Sequence, residues 1–260
     1  MKMSIGFILA LLTLCGAAEA KLVTKTVEYR QGDAVLEGYL AYDDADTGKR
    51  PGVLVVHEWT GLGSYIKKRV DQLARLGYVA LGADIYGKGI RPATPEAAGR
   101  EAGKYRSDRK LLRARAQAGL AELRRQPLVD PVRLAAIGYC FGGTTILELA
   151  RSGADLSGAV SFHGGLDTPT TEDSKNIRAK VLALHGADDP YVPPQQVAAF
   201  QDEMRKGGVD WQMVIYGGAV HSFTNPDSGN NPSQGVAYNE KADRRSWEAM
   251  KAFFTEIFGK

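Results

Sequence analysis

Cysteine, histidine and long apolar runs are all scarce in this chain. Two cysteines, Cys15 and Cys140, occur in 260 residues, so no disulfide framework can hold the fold. With only four histidines there is no Cys/His cluster at zinc spacing. Asp227, Asn230 and Asn231 lack the ligand spacing of a calcium loop, and no phosphate-cradling P-loop occurs. Neither a metal nor another cofactor is therefore implied. The net charge is only +3, from 33 basic and 30 acidic residues. That imbalance is too mild to call for nucleic acid as a partner. No internal repeat and no low-complexity segment stands out. Hydrophobic residues at 44% and charged residues at 24% fit an ordinary globular domain, not a coiled coil, collagen or a disordered chain.

The first residues read as a secretory leader. Lys2 supplies the positive start, Ile5 to Leu14 form the apolar stretch, and Ala18-Glu19-Ala20 matches a small-x-small cleavage site. Ten apolar residues are too few to span a bilayer, so no stable membrane anchor is expected. Cleavage is expected before Lys21, which gives residues 1–20 as signal peptide, a single domain over 21–260, and a secreted or periplasmic location. Lys2 and Glu19 cancel, so the mature chain keeps +3. Cys140 is then the only sulfhydryl left, without a partner for a disulfide.

After Lys21, two strand-like pieces, Val23–Tyr29 and Val35–Tyr42, flank the turn Gln31-Gly32-Asp33 and predict a β-hairpin. Short apolar runs then alternate with amphipathic ones. The runs are Val53–Val56, Tyr78–Ala83, Leu134–Ile137, Ala159–Phe162, Val181–Leu184 and Trp211–Tyr216. Most are apolar at consecutive positions, as strands buried on both faces are. Between them, Ile66, Val70, Leu73 and Leu76 share a helical face, and so do Leu112, Ala116, Leu120 and Leu123. Val197, Phe200 and Met204 repeat the pattern, as do Trp247, Met250, Phe254 and Ile257. The basic stretch from Arg100 to Arg125 reads as a solvated helix face. The fold class is α/β, a mostly parallel central sheet with helices on both faces and an N-terminal hairpin.

One strand end carries chemistry. Leu134–Ile137 runs into Gly138-Tyr139-Cys140-Phe141-Gly142-Gly143, and a helix-forming stretch from Thr144 to Ala150 follows. This is the Gly-x-nucleophile-x-Gly turn with Cys in the Ser position. The turn lifts the sulfur above the sheet and sets it at a helix N-terminus, where thiolate is favoured. A nucleophile needs a base, and the base an orienting acid. In chain order, Asp188 or Asp189 follows the strand Val181–Leu184, and His221 follows Trp211–Tyr216. His57 and His185 sit at strand ends, where they can cap the sheet. His163, before Gly164-Gly165, precedes the acid and breaks the nucleophile–acid–His order.

Four segments now stand in order: His-Glu-Trp-Thr-Gly at 57–61, Gly-Tyr-Cys-Phe-Gly-Gly at 138–143, Gly-Ala-Asp-Asp-Pro-Tyr-Val-Pro at 186–193, and His-Ser-Phe-Thr-Asn at 221–225. Together they resemble the dienelactone hydrolases, a branch of the α/β-hydrolase fold. The resemblance implies a triad of Cys140, His221 and Asp189, the family spacing selecting Asp189 over Asp188. It implies that Glu58 lies beside the nucleophile and assists its activation when substrate binds, and that the amides of Trp59 and Phe141 form the oxyanion hole. The family holds a substrate carboxylate with arginines. Here Lys88, after Asp84-Ile85-Tyr86, and Asn225 occupy those places, with Arg91 close by in sequence, so Tyr86, Lys88 and Asn225 are the expected substrate-binding residues. The expected activity is hydrolysis of a small-molecule ester or lactone through an acyl-enzyme. The altered clamp leaves two competitors: a non-catalytic binding or regulatory module on the same fold, and a redox-sensing thiol.

Overall fold

The computed structural model describes residues 21–259, so the leader expected at residues 1–20 lies outside the described residues. The chain opens with the hairpin, β1 (Leu22–Gln31) and β2 (Ala34–Asp43), paired antiparallel with Gln31 opposite Ala34. Only Gly32 and Asp33 make the turn, and Gly32 takes φ 56°, which glycine adopts without a side-chain clash.

The alternation then proceeds as β3 (Arg50–Val56), α1 (Ser64–Arg75), β4 (Val79–Ala83), α2 (Pro95–Ser107), α3 (Arg109–Arg124), β5 (Val129–Tyr139) and α4 (Phe141–Arg151). It continues as β6 (Gly158–Phe162), β7 (Lys180–Gly186), α5 (Pro194–Gly207), β8 (Trp211–Tyr216) and α6 (Glu240–Phe258). The eight strands form one sheet in the order β1-β2-β4-β3-β5-β6-β7-β8. β2 meets β4 antiparallel, and every neighbouring pair from β4 through β8 is parallel.

Consecutive apolar residues on β3 serve both faces of the sheet. Leu54 and Val56 pack with Leu112, Ala116 and Leu120 of α3 and Ile146 of α4. Val53 and Val55 pack with Ile66, Val70 and Leu73 of α1 and Met250 and Phe254 of α6. All four β3 side chains are fully buried, each contributing about 1.5–3 kcal/mol of burial free energy at most. α5 covers a third cluster through Phe200 and Met204.

Two expectations change here. The basic stretch is not one solvated face but two helices that break at Asp108, whose side chain caps α3 by accepting from the Leu111 amide at 2.9 Å. The strand β8 lies at the sheet edge and is only half-buried, so its apolar run does not mark burial on two faces.

Charges are buried where helices meet. Arg151 of α4 is fully buried and binds Glu203 of α5 at 2.8 and 2.7 Å and Glu148 at 3.1 Å. Glu148 also accepts from Arg113 of α3 at 2.8 Å, and Arg113 reaches Asp173 at 2.6 Å. Arg151, Glu203, Glu148, Arg113 and Asp173 each have a counterpart, which burial in low dielectric demands.

His57, at the end of β3, links two strand ends. Its Nδ1–H donates to the Glu58 carbonyl at 2.6 Å, and Nε2 accepts from the Ile85 amide at 3.2 Å. That pair of bonds fixes a neutral tautomer, and burial pushes the imidazole down to about 4. Below pH 6.5 the unfolded chain therefore binds a proton at His57 that the folded chain refuses. The expected outcome is a loss of about 3 kcal/mol from this residue between pH 6.5 and 4. Urea unfolding across that range checks it, and His57→Gln should flatten that part of the slope.

Candidate active site

The C-terminal ends of the parallel strands form one rim. Glu58 follows β3, Cys140 follows β5, His163 follows β6, Asp189 follows β7, and His221 follows β8. Between β5 and α4 the backbone turns so tightly that Cys140 takes φ 54°. Glycine is required on either side of it. A Cβ on Gly138 would lie 2.1 Å from the Gly142 carbonyl oxygen, and one on Gly142 would lie 2.2 Å from that of Val56.

The turn brings the predicted triad together. The His221 Nδ1–H donates to Asp189 Oδ2 at 2.8 Å, and His221 Nε2 lies 3.1 Å from the Cys140 sulfur. Asp189 is the member in place, and its other oxygen accepts from the Tyr191 amide at 2.9 Å. Burial disfavours a charge on His221, but the Cys140 sulfur and the Asp189 hydrogen bond outweigh it and push the imidazole up to about 10. A charged imidazole is thus favoured at His221, beside the sulfur. Among the described residues, the Trp59 and Phe141 amides donate no hydrogen bond.

Glu58 is buried and has both oxygens occupied. Ser222 donates to Oε1 at 2.9 Å and Asn225 to Oε2 at 2.7 Å, while Ser228 donates to Ser222 at 2.9 Å. Burial raises its carboxyl above the usual carboxylate range. Asn225 lines the cavity, yet its amide serves Glu58 in this state.

Two substrate-binding expectations fail. Lys88 does not line the cavity: its ammonium is exposed and pairs with Glu28 of β1, because its backbone amide ties the loop after β4 to Val35 on the hairpin at 2.9 Å. Tyr86 is buried and donates its hydroxyl to the Trp59 carbonyl at 2.8 Å, so it braces the loop after β3. Arg91 likewise turns away, onto the Leu62 and Ile90 carbonyls at 3.0 and 2.8 Å.

The cavity over Cys140 measures about 820 Å³. Its arginines, among the described residues, are Arg106, at the end of α2, and Arg109, at the start of α3, where Arg109 pairs with Asp167 at 3.0 Å. Sequence reasoning missed both inside the basic stretch; the Asp108 helix break between them was the available signal. Tyr65 and Thr144 complete the walls, and Tyr191 sets its ring 5.2 Å from that of His221. Among the described residues no cluster of His, Cys, Asp and Glu has the makings of a metal site.

Residues 36–258 match the model of the dienelactone hydrolase family. The chain belongs to that family. It shares 43% identity with a dienelactone hydrolase-like promiscuous phosphotriesterase from metagenomic libraries, whose crystal structure superposes with a TM-score of 0.87 over 91% of this chain and 98% of that one. A Synechocystis protein provisionally named a carboxymethylenebutenolidase is 29% identical over 85% of this chain and 92% of its own length. A provisionally named dienelactone hydrolase of Klebsiella pneumoniae, at 22% identity and TM-score 0.77 over 90% of this chain and 99% of that one, shares the fold. As a dienelactone hydrolase family member the protein is a hydrolase acting on ester or lactone bonds, on the α/β-hydrolase fold.

The elbow generates a paired prediction. Gly142→Ala should destabilise by about 3 kcal/mol or more, because backbone, not a flexible side chain, meets the new methyl. Gly103→Ala, in α2 with open space around it, should instead stabilise by about 0.5–1 kcal/mol. Urea midpoints of the two variants against the parent decide this.

Proposed function

We propose that the protein hydrolyses carboxylic esters or lactones through an acyl-enzyme on Cys140. The observation that carries this is the unbroken chain of contacts from Asp189 through His221 to a sulfur on the cavity floor, at 2.8 and 3.1 Å. The thiolate attacks the carbonyl carbon, and the Trp59 and Phe141 amides take up the negative charge that develops on the carbonyl oxygen. The His221 imidazolium gives its proton to the departing alkoxide, which for a lactone stays tethered to the acyl group. A thioester on Cys140 remains. His221, now neutral, accepts a proton from water as the hydroxide adds to the thioester carbonyl. Collapse expels the Cys140 thiolate and releases the acid.

Glu58 has a supporting role in this scheme. With Ser222 and Asn225 both bonded to it, its carboxyl anchors the segment that carries His221 rather than removing the thiol proton. The guanidinium of Arg106, without an ion-pair partner among the described residues and close to Arg109 in the cavity lining, supports a substrate whose anionic group points toward the junction of α2 and α3. A secreted or periplasmic location rests on the leader in the sequence, and N-terminal sequencing of exported protein should find Lys21 first.

Turnover of short p-nitrophenyl esters tests the reaction. Cys140→Ala should lose at least about a thousandfold in kcat, and Asp189→Asn a comparable factor through misorientation of His221. Equal rates in parent and Cys140→Ala would end the proposal. Reversible oxidation of Cys140 without ester turnover would favour a redox-sensing thiol instead. Arg106→Gln should raise KM for a carboxylated ester by about three- to tenfold, as expected for loss of one partly exposed ion pair, and leave a neutral ester of the same length unchanged.

A further inference from the structure

His163 is a buried titratable group to which the catalytic cycle gives no task. It follows β6 directly and takes φ 41°, a conformation that costs a non-glycine residue about 1–3 kcal/mol. The strained backbone turns its ring onto the elbow. Nδ1 accepts from the Cys140 amide at 3.2 Å, a proton shared with the Phe162 carbonyl at 3.0 Å. With Nδ1 an acceptor in the neutral ring, Nε2 carries the proton and donates it to Thr224 Oγ1 at 2.7 Å. Thr224 lies three residues beyond His221 and is fully buried.

Thr224 is itself pinned from the other side. Its hydroxyl shares a 2.6 Å hydrogen bond with Tyr65 of α1, and its carbonyl accepts from Arg69 at 2.8 Å. Arg69 also donates to Tyr65 at 3.2 Å and meets Asp243 of α6 at 2.5 Å. A continuous run of buried polar contacts therefore leads from the nucleophile's own amide to α1 and α6.

This run lies alongside the reacting contact. One link between the β5 turn and the segment after β8 is the Cys140 sulfur on His221; the other is the Cys140 amide through His163 to Thr224. The two imidazoles meet edge to face at 5.5 Å. We infer that His163 is a positioning residue: by bonding the Cys140 amide and Thr224 at once, it sets the distance between the sulfur and the His221 ring. Thr224 is the second half of the same device. The inference rests on Cys140 and His221 being the reacting pair.

His163 also has to stay uncharged. Burial holds its imidazole well below the usual range, and the positive charges on His221 and Arg69 push it further in the same direction. The titratable groups around it are Cys140 and Tyr139 from the β5 side, His221 from the segment after β8, and Tyr65 and Arg69 from α1. A cation here would repel a positive charge on His221, 5.5 Å away ring to ring.

Thr224→Val removes the hydroxyl at constant shape, and Thr224→Ser keeps it. Three readouts separate positioning from a merely structural role: kcat and KM with a neutral ester, the pH midpoint of Cys140 alkylation by iodoacetamide, and the thermal unfolding midpoint. Thr224→Val should lose about 10- to 100-fold in kcat with KM within about twofold. Its alkylation midpoint should rise by about one pH unit as the ion pair loosens, a tenfold weakening. Thr224→Ser should recover most of both. If Thr224→Val does not fold, His163→Asn takes its place. Asn tolerates the positive φ and can accept from the Cys140 amide, but its side chain is too short to reach Thr224, so the same two changes are expected.

A folded Thr224→Val or His163→Asn with parental kcat and alkylation midpoint overturns the inference. So does a kcat loss that Thr224→Ser does not rescue. Parental protein that neither turns over ester through Cys140 nor alkylates faster than a model thiol would instead remove the hydrolytic mechanism, and the two failures are told apart by the parental protein alone.

Discussion

The 3.1 Å approach of the His221 ring to the Cys140 sulfur joins parts of the chain that are 81 residues apart and brought to one place only by the order of the strands. Parallel strands put all their C-terminal ends on one rim, and crossover helices return the chain each time to the same starting edge. Given that topology, residues placed just after β3, β5, β6, β7 and β8 converge without further instruction. The tolerance is small, however. The elbow must pass within van der Waals distance of the end of β3, which only glycine at 142 allows, and glycine at 138 gives the same room within the elbow itself.

Much of this could be read from residue patterns. The eight strands, the hairpin turn at Gly32 and the elbow around Cys140 announce themselves locally, through apolar runs, a two-residue turn and glycine spacing. The order of nucleophile, acid and base pointed to His221 and the family resemblance to Asp189 over Asp188, and both lie in one run of contacts with Cys140. What escaped detection depends on side-chain direction. Lys88 stands where the family pattern puts a cation, but the loop carrying it leans on the N-terminal hairpin and turns the ammonium to Glu28. Arg106 and Arg109 lay inside a stretch whose charge suggested solvent, because helix periodicity over a charged segment does not reveal that it bends at Asp108 and sets its corner against a cavity. His163 broke the expected order of catalytic types. Its importance lies in two hydrogen bonds, and a pattern of residue types carries no record of those.

Two buried polar assemblies stabilise the site from opposite sides. Behind α4, the Arg151, Glu148, Glu203 and Arg113 charges hold the helix that begins directly after Cys140. Beneath the segment after β8, Arg69, Tyr65 and Asp243 hold Thr224. Both occupy low-dielectric surroundings, where a complete set of partners gives rigidity and a missing partner is costly. The hydrophobic clusters explain why the chain folds. These ionic assemblies tie α4 to α3 and α5, and α1 to α6 and the segment after β8.

Cys140, His163 and Ser222 are the three non-glycine residues with positive φ among those described. One is the sulfur's own residue, one touches its amide, and one follows His221. Backbone energy that the rest of the molecule minimises is thus concentrated within a single shell around the thiol. Evolution toward greater thermal tolerance would find its easiest gains here, by relaxing these angles with glycine or asparagine, and each such gain would loosen the geometry that makes the sulfur useful. Robustness and reactivity are in opposition at these positions, so a hardier descendant of this protein has to draw its extra stability from surfaces far from the rim.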